Sequence, residues 1–125
     1  MTAETAARQW LDGAKRALAA AENMMKAGDF EFALFTCHLA VEKALKGLFV
    51  KVRDEQPPKI HNLEQLADAC DLSMTEEERL ALRELTTFSE FGRYGDESWL
   101  QADASGDNAR HWIERAQYFL SRCEQ

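Results

Sequence analysis

The chain has 125 residues and a net charge of −7, and 46% of its residues are apolar while 30% are charged. This length suffices for one domain with its own core, and the composition excludes a disordered chain. Acidic and basic residues precede any apolar run, and no apolar stretch of about 18 residues occurs, so neither a signal peptide nor a membrane span is expected. We therefore expect a single domain over residues 1–125 in the cytoplasm.

The charge is distributed unevenly along the chain. Residues 1–53 contain 8 Lys+Arg and 6 Asp+Glu, whereas residues 54–125 contain 7 and 16. Binding to a nucleic-acid backbone draws its affinity from clustered positive charge. Autonomous DNA or RNA binding is therefore not expected, although a local basic patch in the first half, or one supplied by a partner, stays open.

Cysteine and histidine spacing gives no sign of a metal site or cofactor. Cys37, Cys70 and Cys123 lie in apolar positions without a CxxC spacing, which predicts reduced, buried thiols. His38 and Glu42 share a helix face, but they do not form the Glu-x-x-His pattern of di-iron bundles. We expect no bound metal and no cofactor.

The first half of the chain predicts two long helices joined by a tight turn. Apolar residues recur at helical spacing over about Thr2–Ala27 and again over about Phe30–Arg53. Gly28 stands where a helix C′ residue is favoured, and Asp29 stands at the next N-cap position. Because the connection is so short, the two helices should run antiparallel.

The second helix is apolar on nearly every face, yet it carries Glu42, Lys43 and Lys46 in its middle. A soluble protein of this size accommodates such a helix only at the centre of a bundle, with its charges directed into a seam or a site. Glu42 and Lys46 also have the order of a stabilising i,i+4 pair, worth ~0.3 kcal/mol on an exposed helix.

A Pro57-Pro58 pair ends the second helix, and a short third helix should begin near Asn62. Asn62 and Gln65 have the spacing of a capping box. His61, immediately before this helix, would then hydrogen-bond a turn carbonyl or contact a ligand.

Two further helices complete the predicted fold. One begins near Thr75, which has capping-box spacing to Glu78, and the last covers about Asp107–Cys123. No segment alternates as a strand would. The sequence predicts an all-α, antiparallel (up-and-down) four-helix bundle with an additional short helix.

A long irregular stretch over about residues 90–105 contains Arg93-Tyr94 between Gly92 and Gly95. Loops of this length in a compact bundle are commonly functional or disordered. A guanidinium and a phenol on a glycine-flanked backbone are suited to contact a ligand or to anchor the loop.

Three motifs occur in order along the chain: Val41-Glu42-Lys43-Ala44-Leu45-Lys46, Pro57-Pro58-Lys59-Ile60-His61-Asn62-Leu63, and Arg93-Tyr94. Together they resemble the HEPN family (higher eukaryote and prokaryote nucleotide-binding domain), and the resemblance covers almost the whole chain. It implies a helical bundle, frequent homodimers, and either ribonuclease activity or a role beside a minimal nucleotidyltransferase.

Ribonuclease members of the family carry an Arg followed, after four to six residues, by a His. This sequence departs from that pattern, because the next histidine after Arg93 is His111, 18 positions later. Arg53 and His61 have seven residues between them but flank the Pro-Pro turn. A ribonuclease with an unusual Arg/His arrangement is therefore kept as an alternative, and so is a structural homodimer without a ligand.

The leading hypothesis from the resemblance is a non-catalytic, nucleotide-associated accessory subunit of a nucleotidyltransferase, in a toxin–antitoxin-like pair. Its nucleotide- or partner-binding candidates are Arg93, Tyr94, Lys46, Lys43, Glu42 and His61. Arg93 would hold phosphate or carboxylate, Tyr94 would stack or donate a hydrogen bond, and Lys46 would supply charge. No residue is assigned as catalytic, and a homodimer is expected.

Overall fold

The computed structural model describes residues 2–90 and 104–124, and these residues form an all-α antiparallel bundle without a strand. None of the helices in these ranges is both long and apolar enough to cross a membrane. The helices are α1 (Ala3–Lys26), α2 (Phe30–Arg53), the short α3 (Leu63–Ala69), α4 (Glu76–Thr87), which continues into a 3-10 turn at Phe88–Glu90, and α5 (Gly106–Glu124).

The turn between α1 and α2 has the backbone that the sequence predicts, with one difference. Gly28 adopts a left-handed backbone with a φ of 84°, which glycine accepts without steric cost. Asp29 occupies the N-cap position of α2, but its side chain accepts no capping hydrogen bond. The turn is therefore set by the glycine rather than by a side-chain cap.

The caps of α3 and α4 also differ from each other. At α4, the Thr75 side chain accepts from the Glu78 amide at 3.1 Å while Glu78 accepts from the Thr75 amide at 2.8 Å, so the predicted capping box is complete. At α3, the Asn62 side chain accepts from the Gln65 backbone N–H at 2.9 Å, but the return bond from the Asn62 backbone N–H to the Gln65 side chain is not formed. The box predicted for α3 is thus a single N-cap.

Helix α2 lies at the centre of the bundle and contacts every other helix, as its apolar sequence predicts. Helices α1 and α5 pack on it along much of their length, and α3 and α4 close the remaining side. The largest side chains with essentially no exposure are Phe88, Phe119, Leu34, Leu45, Leu63, Leu66, Leu82 and Leu85. Burying this apolar surface is the main stabilising contribution to the fold.

Helices α1 and α2 approach each other closely at Gly47. A methyl group built on Gly47 would lie 2.9 Å from the Trp10 Cβ and 3.1 Å from the Ala7 carbonyl oxygen. Only a residue without a side chain therefore fits here. This contact brings Trp10 of α1 beside the charged middle of α2.

All three cysteines are free and buried, as the sequence predicts. Burial raises the pKa of the Cys37 and Cys123 thiols to about 12 and that of Cys70 to about 11. Thiols with such pKa values are protonated at neutral pH and unreactive as nucleophiles.

Candidate functional site

A buried carboxylate lies in the middle of α2 and is held by two cationic or basic groups. Glu42 is only 6% exposed. Its Oε2 accepts from Lys46 Nζ at 2.9 Å, and its Oε1 lies 3.0 Å from His61 Nδ1. Three of the residues predicted for the site are therefore in direct contact. We call these three residues, together with His38, the Glu42 cluster.

His38 was considered in the sequence only as a poor metal ligand, yet it completes this cluster. It lies one turn before Glu42, is 2% exposed, and its Nε2 is 3.0 Å from the carbonyl oxygen of His61 and 3.5 Å from Glu42 Oε1. Burial lowers the pKa of His38, so the ring is neutral at pH 7 and donates from Nε2 to the carbonyl. The other nitrogen, Nδ1, is buried and has no hydrogen-bond partner within the described part of the chain.

Glu42 is ionised despite its position. Burial acts to raise its pKa, but hydrogen bonds from Lys46 and His61 outweigh burial and lower the pKa below its ordinary value. The negative charge is thus retained because two hydrogen-bond donors replace the water that burial removes.

His61 connects this cluster to solvent. About half of its side chain (52%) is exposed, and Nδ1 donates to Glu42, which leaves Nε2 without a partner among the described residues. A carboxylate that fixes one ring nitrogen in this way orients the other for hydrogen bonding or proton transfer. Among the described residues the His61 ring contacts Glu42 rather than a turn carbonyl, and the contact with His38 is made by the backbone carbonyl of His61.

Trp10 forms the wall of the site on the α1 side. The ammonium groups of Lys43 and Lys46 lie 5.9 Å and 6.0 Å from the centre of its indole ring, within the range of cation–π attraction. Trp10 stands at an apolar position of the helical pattern of α1, and a tryptophan at such a position by itself indicates only a core or interface role. The sequence signal for this contact is Gly47, the one glycine of α2, which permits a close helix crossing but does not identify the partner residue.

The structure places the remaining candidates away from the Glu42 cluster or outside the described residues. Lys43 contacts neither Glu42 nor His61 and instead lies against Gly13 of α1. Arg93 and Tyr94 lie outside the described residues, so their position relative to the cluster stays a prediction.

The alternative pair of Arg53 and His61 is not free to act together on a ligand. Arg53 donates from Nε to the Ala69 carbonyl at 3.0 Å and pairs with Asp71 at 3.1 Å. These contacts fasten the end of α2 to the end of α3. His61 is meanwhile directed to Glu42.

This architecture defines a class of small, all-helical proteins in which a central second helix carries an acid–lysine pair into the site. A family model for the HEPN domain matches residues 7–125, nearly the whole chain, and the chain belongs to this family. Among solved structures, the chain is similar to the protein TT1696 from Thermus thermophilus, with a TM-score of 0.80 and 24% sequence identity. The match covers 94% of this chain and 95% of that one, and at this identity it shows a shared fold alone. No curated protein matches the chain.

Proposed function

We propose that this HEPN-domain protein is a non-catalytic, nucleotide-associated accessory subunit that pairs with a minimal nucleotidyltransferase in a toxin–antitoxin-like pair. The observation that supports it best is the Glu42 cluster, a preorganised polar group at the wall of the bundle with an open position. That position is His61 Nε2, which has no partner among the described residues.

The charges of the Glu42 cluster are paired within the protein, and this favours ligand binding over catalysis. Lys46 is paired with Glu42 and is only 8% exposed, so its charge serves chiefly to hold the carboxylate. His38 is neutral and engaged with the backbone. The cluster therefore presents a fixed imidazole to a ligand while its other charges are already satisfied.

Arg93 and Tyr94 are assigned to the same proposal from their motif. Arg93 would hold a phosphate or carboxylate of the ligand or partner, and Tyr94 would stack or donate a hydrogen bond. His61 would add a hydrogen-bonding ring nitrogen from the bundle.

The experiment is a tagged pull-down from the native host at low salt, followed by mass spectrometry. The wild-type protein should recover a small nucleotidyltransferase, and Arg93→Ala and His61→Ala should each reduce recovery at least fivefold. Arg93→Ala should change stability little, whereas His61→Ala removes a donor from the buried Glu42 carboxylate, so recovery is compared at equal amounts of folded protein. Arg110→Ala removes another arginine, one that is exposed on α5, and serves as the matched control. Recovery of the chain alone, or equal recovery by all variants, contradicts the proposal.

A ribonuclease is the second candidate, and the contact between His61 and Glu42 is the observation that favours it. A carboxylate-oriented histidine can take a proton from a ribose 2′-hydroxyl. Purified protein should then cleave single-stranded RNA in the presence of a chelator, and His61→Ala should abolish cleavage. Absence of cleavage by the wild-type protein would remove this candidate.

Self-association is part of the main proposal. Helices α1, α2 and α5 border a groove of about 500 Å³ whose floor is largely apolar, including Ala7, Leu11, Gly47 and Leu48. Such a surface is suited to a second copy of the chain. Sedimentation velocity should show a dimer, and a monomer at all concentrations up to 100-fold above those of the pull-down would contradict it.

A further inference from the structure

A second groove lies beside Trp10, between α1, the middle of α2 and the segment that follows α2. Its volume is about 350 Å³, within the range of small-ligand sites. Its lining combines one aromatic ring, two cations and two amide side chains, with a glycine at its base. We call it the Gly13 groove, and it is lined by Ala6, Gln9, Trp10, Gly13, Arg16, Lys43 and Gln56.

Two cations converge over Gly13. A methyl group built on this glycine would lie 3.8 Å from Lys43 Nζ and 3.9 Å from Arg16 Nη2. Both nitrogens thus lie close to the same glycine, whose missing side chain leaves the helix backbone open to a ligand between them.

Neither cation is paired with a carboxylate in the described part of the chain. Within residues 2–90 and 104–124, no carboxylate lies within 4 Å of Lys43 or Arg16. Glu42, the acidic residue next to Lys43 in sequence, is already occupied by Lys46 and His61. Like charges brought together without a counterion repel each other, and this cost is recovered when an anion binds between them.

We infer that the Gly13 groove binds the phosphate groups of a small phosphorylated ligand, a diphosphate or triphosphate chain. Charge-assisted N–H···O bonds are ~2.8 Å long, so an oxyanion centred over Gly13 would reach both Lys43 and Arg16. Gln9 and Gln56 line the same groove and carry amide N–H donors for the remaining oxygens.

The size of the cationic set argues for a small ligand over a nucleic acid. Affinity for a nucleic-acid backbone grows with the number of phosphates neutralised, and this groove offers only two cations on a chain of net charge −7. A short oligophosphate concentrates its charge where these two cations meet.

This site deepens the nucleotide association of the proposed function and rests on it in that respect, but it requires neither a nucleotidyltransferase nor the open nitrogen of His61. Arg16 contacts no member of the Glu42 cluster, so a variant at this position leaves the cluster intact. A failure of the groove to bind phosphate is therefore distinguishable from a failure of the pull-down.

The test is calorimetric titration of the full chain with inorganic pyrophosphate at low ionic strength without divalent cations. Wild-type protein should bind, and Arg16→Gln and Lys43→Gln should each weaken binding about tenfold, as expected for the loss of one charge-assisted contact. Lys26→Gln makes the same change of charge at an exposed position at the end of α1 and should bind as the wild type does. Equal affinity for all four proteins, or no binding by the wild type, overturns the inference.

Gly13→Ala separates ligand binding from folding. The added methyl group makes only ordinary contacts of 3.6–3.9 Å, and alanine favours a helix over glycine, so the melting temperature should rise by about 2–5 °C. The same methyl group projects toward the space between the cations and keeps an anion farther from both, so pyrophosphate affinity should fall at least fivefold. A more stable variant with unchanged affinity contradicts the site.

Titration with a single-stranded RNA of 12 nucleotides tests whether the groove instead binds the phosphates of a nucleic-acid backbone. If RNA binds more tightly than pyrophosphate and Arg16→Gln weakens RNA binding, the groove takes a nucleic-acid backbone and the small-ligand assignment is wrong. If RNA does not compete with pyrophosphate, the assignment holds.

Discussion

Glu42 shows how burial changes the meaning of a residue pair. On an exposed helix, a Glu and a Lys four residues apart contribute a few tenths of a kcal/mol. Here the two side chains are only 8% and 10% exposed, so each has lost most of its water and depends on the other. The pair therefore adds little net stability, but the loss of either partner would leave the other buried charge without its ion-pair partner.

Lys46→Met should expose this dependence. The variant leaves a buried carboxylate with one donor fewer, and the free energy of unfolding should fall by about 2 kcal/mol, less than a fully unpaired charge would cost because His61 remains. In the double variant Glu42→Leu/Lys46→Met both charges are absent, so its loss should be smaller than the sum of the losses of the two single variants.

Urea unfolding of the four proteins measures this coupling. Arg8→Met is a matched control, because Arg8 and Glu4 form an i,i+4 pair at 3.7 Å that is largely exposed. Its loss should stay below about 0.5 kcal/mol. Additive losses at Glu42 and Lys46 would show that the two residues are not energetically coupled.

At the scale of the helices, the sequence predicted the helix ends, because these depend on residues close together in the chain. The bounds of α2 agree with the prediction, and α1 and α5 differ from it by one residue at each end. These ends are set by Gly28 and by helical periodicity, which are readable over a few residues. The contact of His38 with the backbone of His61 joins residues 23 apart, and no local pattern indicates it.

For the helix caps and for the crossing of α1 and α2, local sequence likewise indicates the candidate residues, but tertiary packing decides which contacts form. The spacing of Asn62 and Gln65 equals that of Thr75 and Glu78, yet only the second pair closes a full box. Likewise, Gly13 and Gly47 are both single glycines inside long helices, and nothing local distinguishes them. Only the packing of α1 against α2 gives them different surroundings.

The two glycines therefore make a matched pair of predictions. Gly47→Ala should destabilise the protein by about 1–3 kcal/mol, because its methyl group would meet the Trp10 Cβ at 2.9 Å and the Ala7 carbonyl at 3.1 Å. Gly13→Ala should instead stabilise it by about 0.5–1 kcal/mol through helix propensity. Chemical denaturation of both variants measures the difference, and equal effects would contradict the close crossing at Gly47.

At the scale of the whole molecule, ionised carboxylates fasten the second half of the bundle. Glu64 of α3 accepts from Arg83 at 2.8 Å and from Arg79 at 3.0 Å, which joins α3 to α4. Hydrogen bonds from these arginines lower the pKa of Glu64 to about 2. Some of the excess negative charge of residues 54–125 is thus neutralised by ion pairs within the fold.

Glu78 joins α4 to α5 in a similar way. It accepts from Tyr118 Oη and Arg122 Nη1, each at 2.7 Å, while also capping α4 at Thr75. Burial acts to raise the pKa of Glu78, but the hydrogen bonds from the Thr75 amide, Tyr118 and Arg122 outweigh it and lower the pKa to about 2.

These pKa values predict how the protein unfolds in acid. In the unfolded chain both carboxyl groups titrate near 4.5, so on acidification the unfolded state takes up their protons first. Their contribution to stability is therefore complete above about pH 4.5 and is lost as the pH falls toward 2. Glu78→Gln keeps a side chain suited to the capping box but removes the charge. Its melting temperature should lie below that of the wild type at pH 7, and the gap should close between pH 4.5 and 2.

Thermal unfolding followed by circular dichroism across this pH range tests that expectation. Glu77→Gln is the control, because Glu77 is exposed and forms no ion pair in the described part of the chain, and it should follow the wild-type curve. A gap between Glu78→Gln and the wild type that stays constant with pH would mean that Glu78 acts through its shape and capping. The two arginine-linked carboxylates would then not govern acid stability, and the contacts of α4 with α3 and α5 would depend on apolar packing alone.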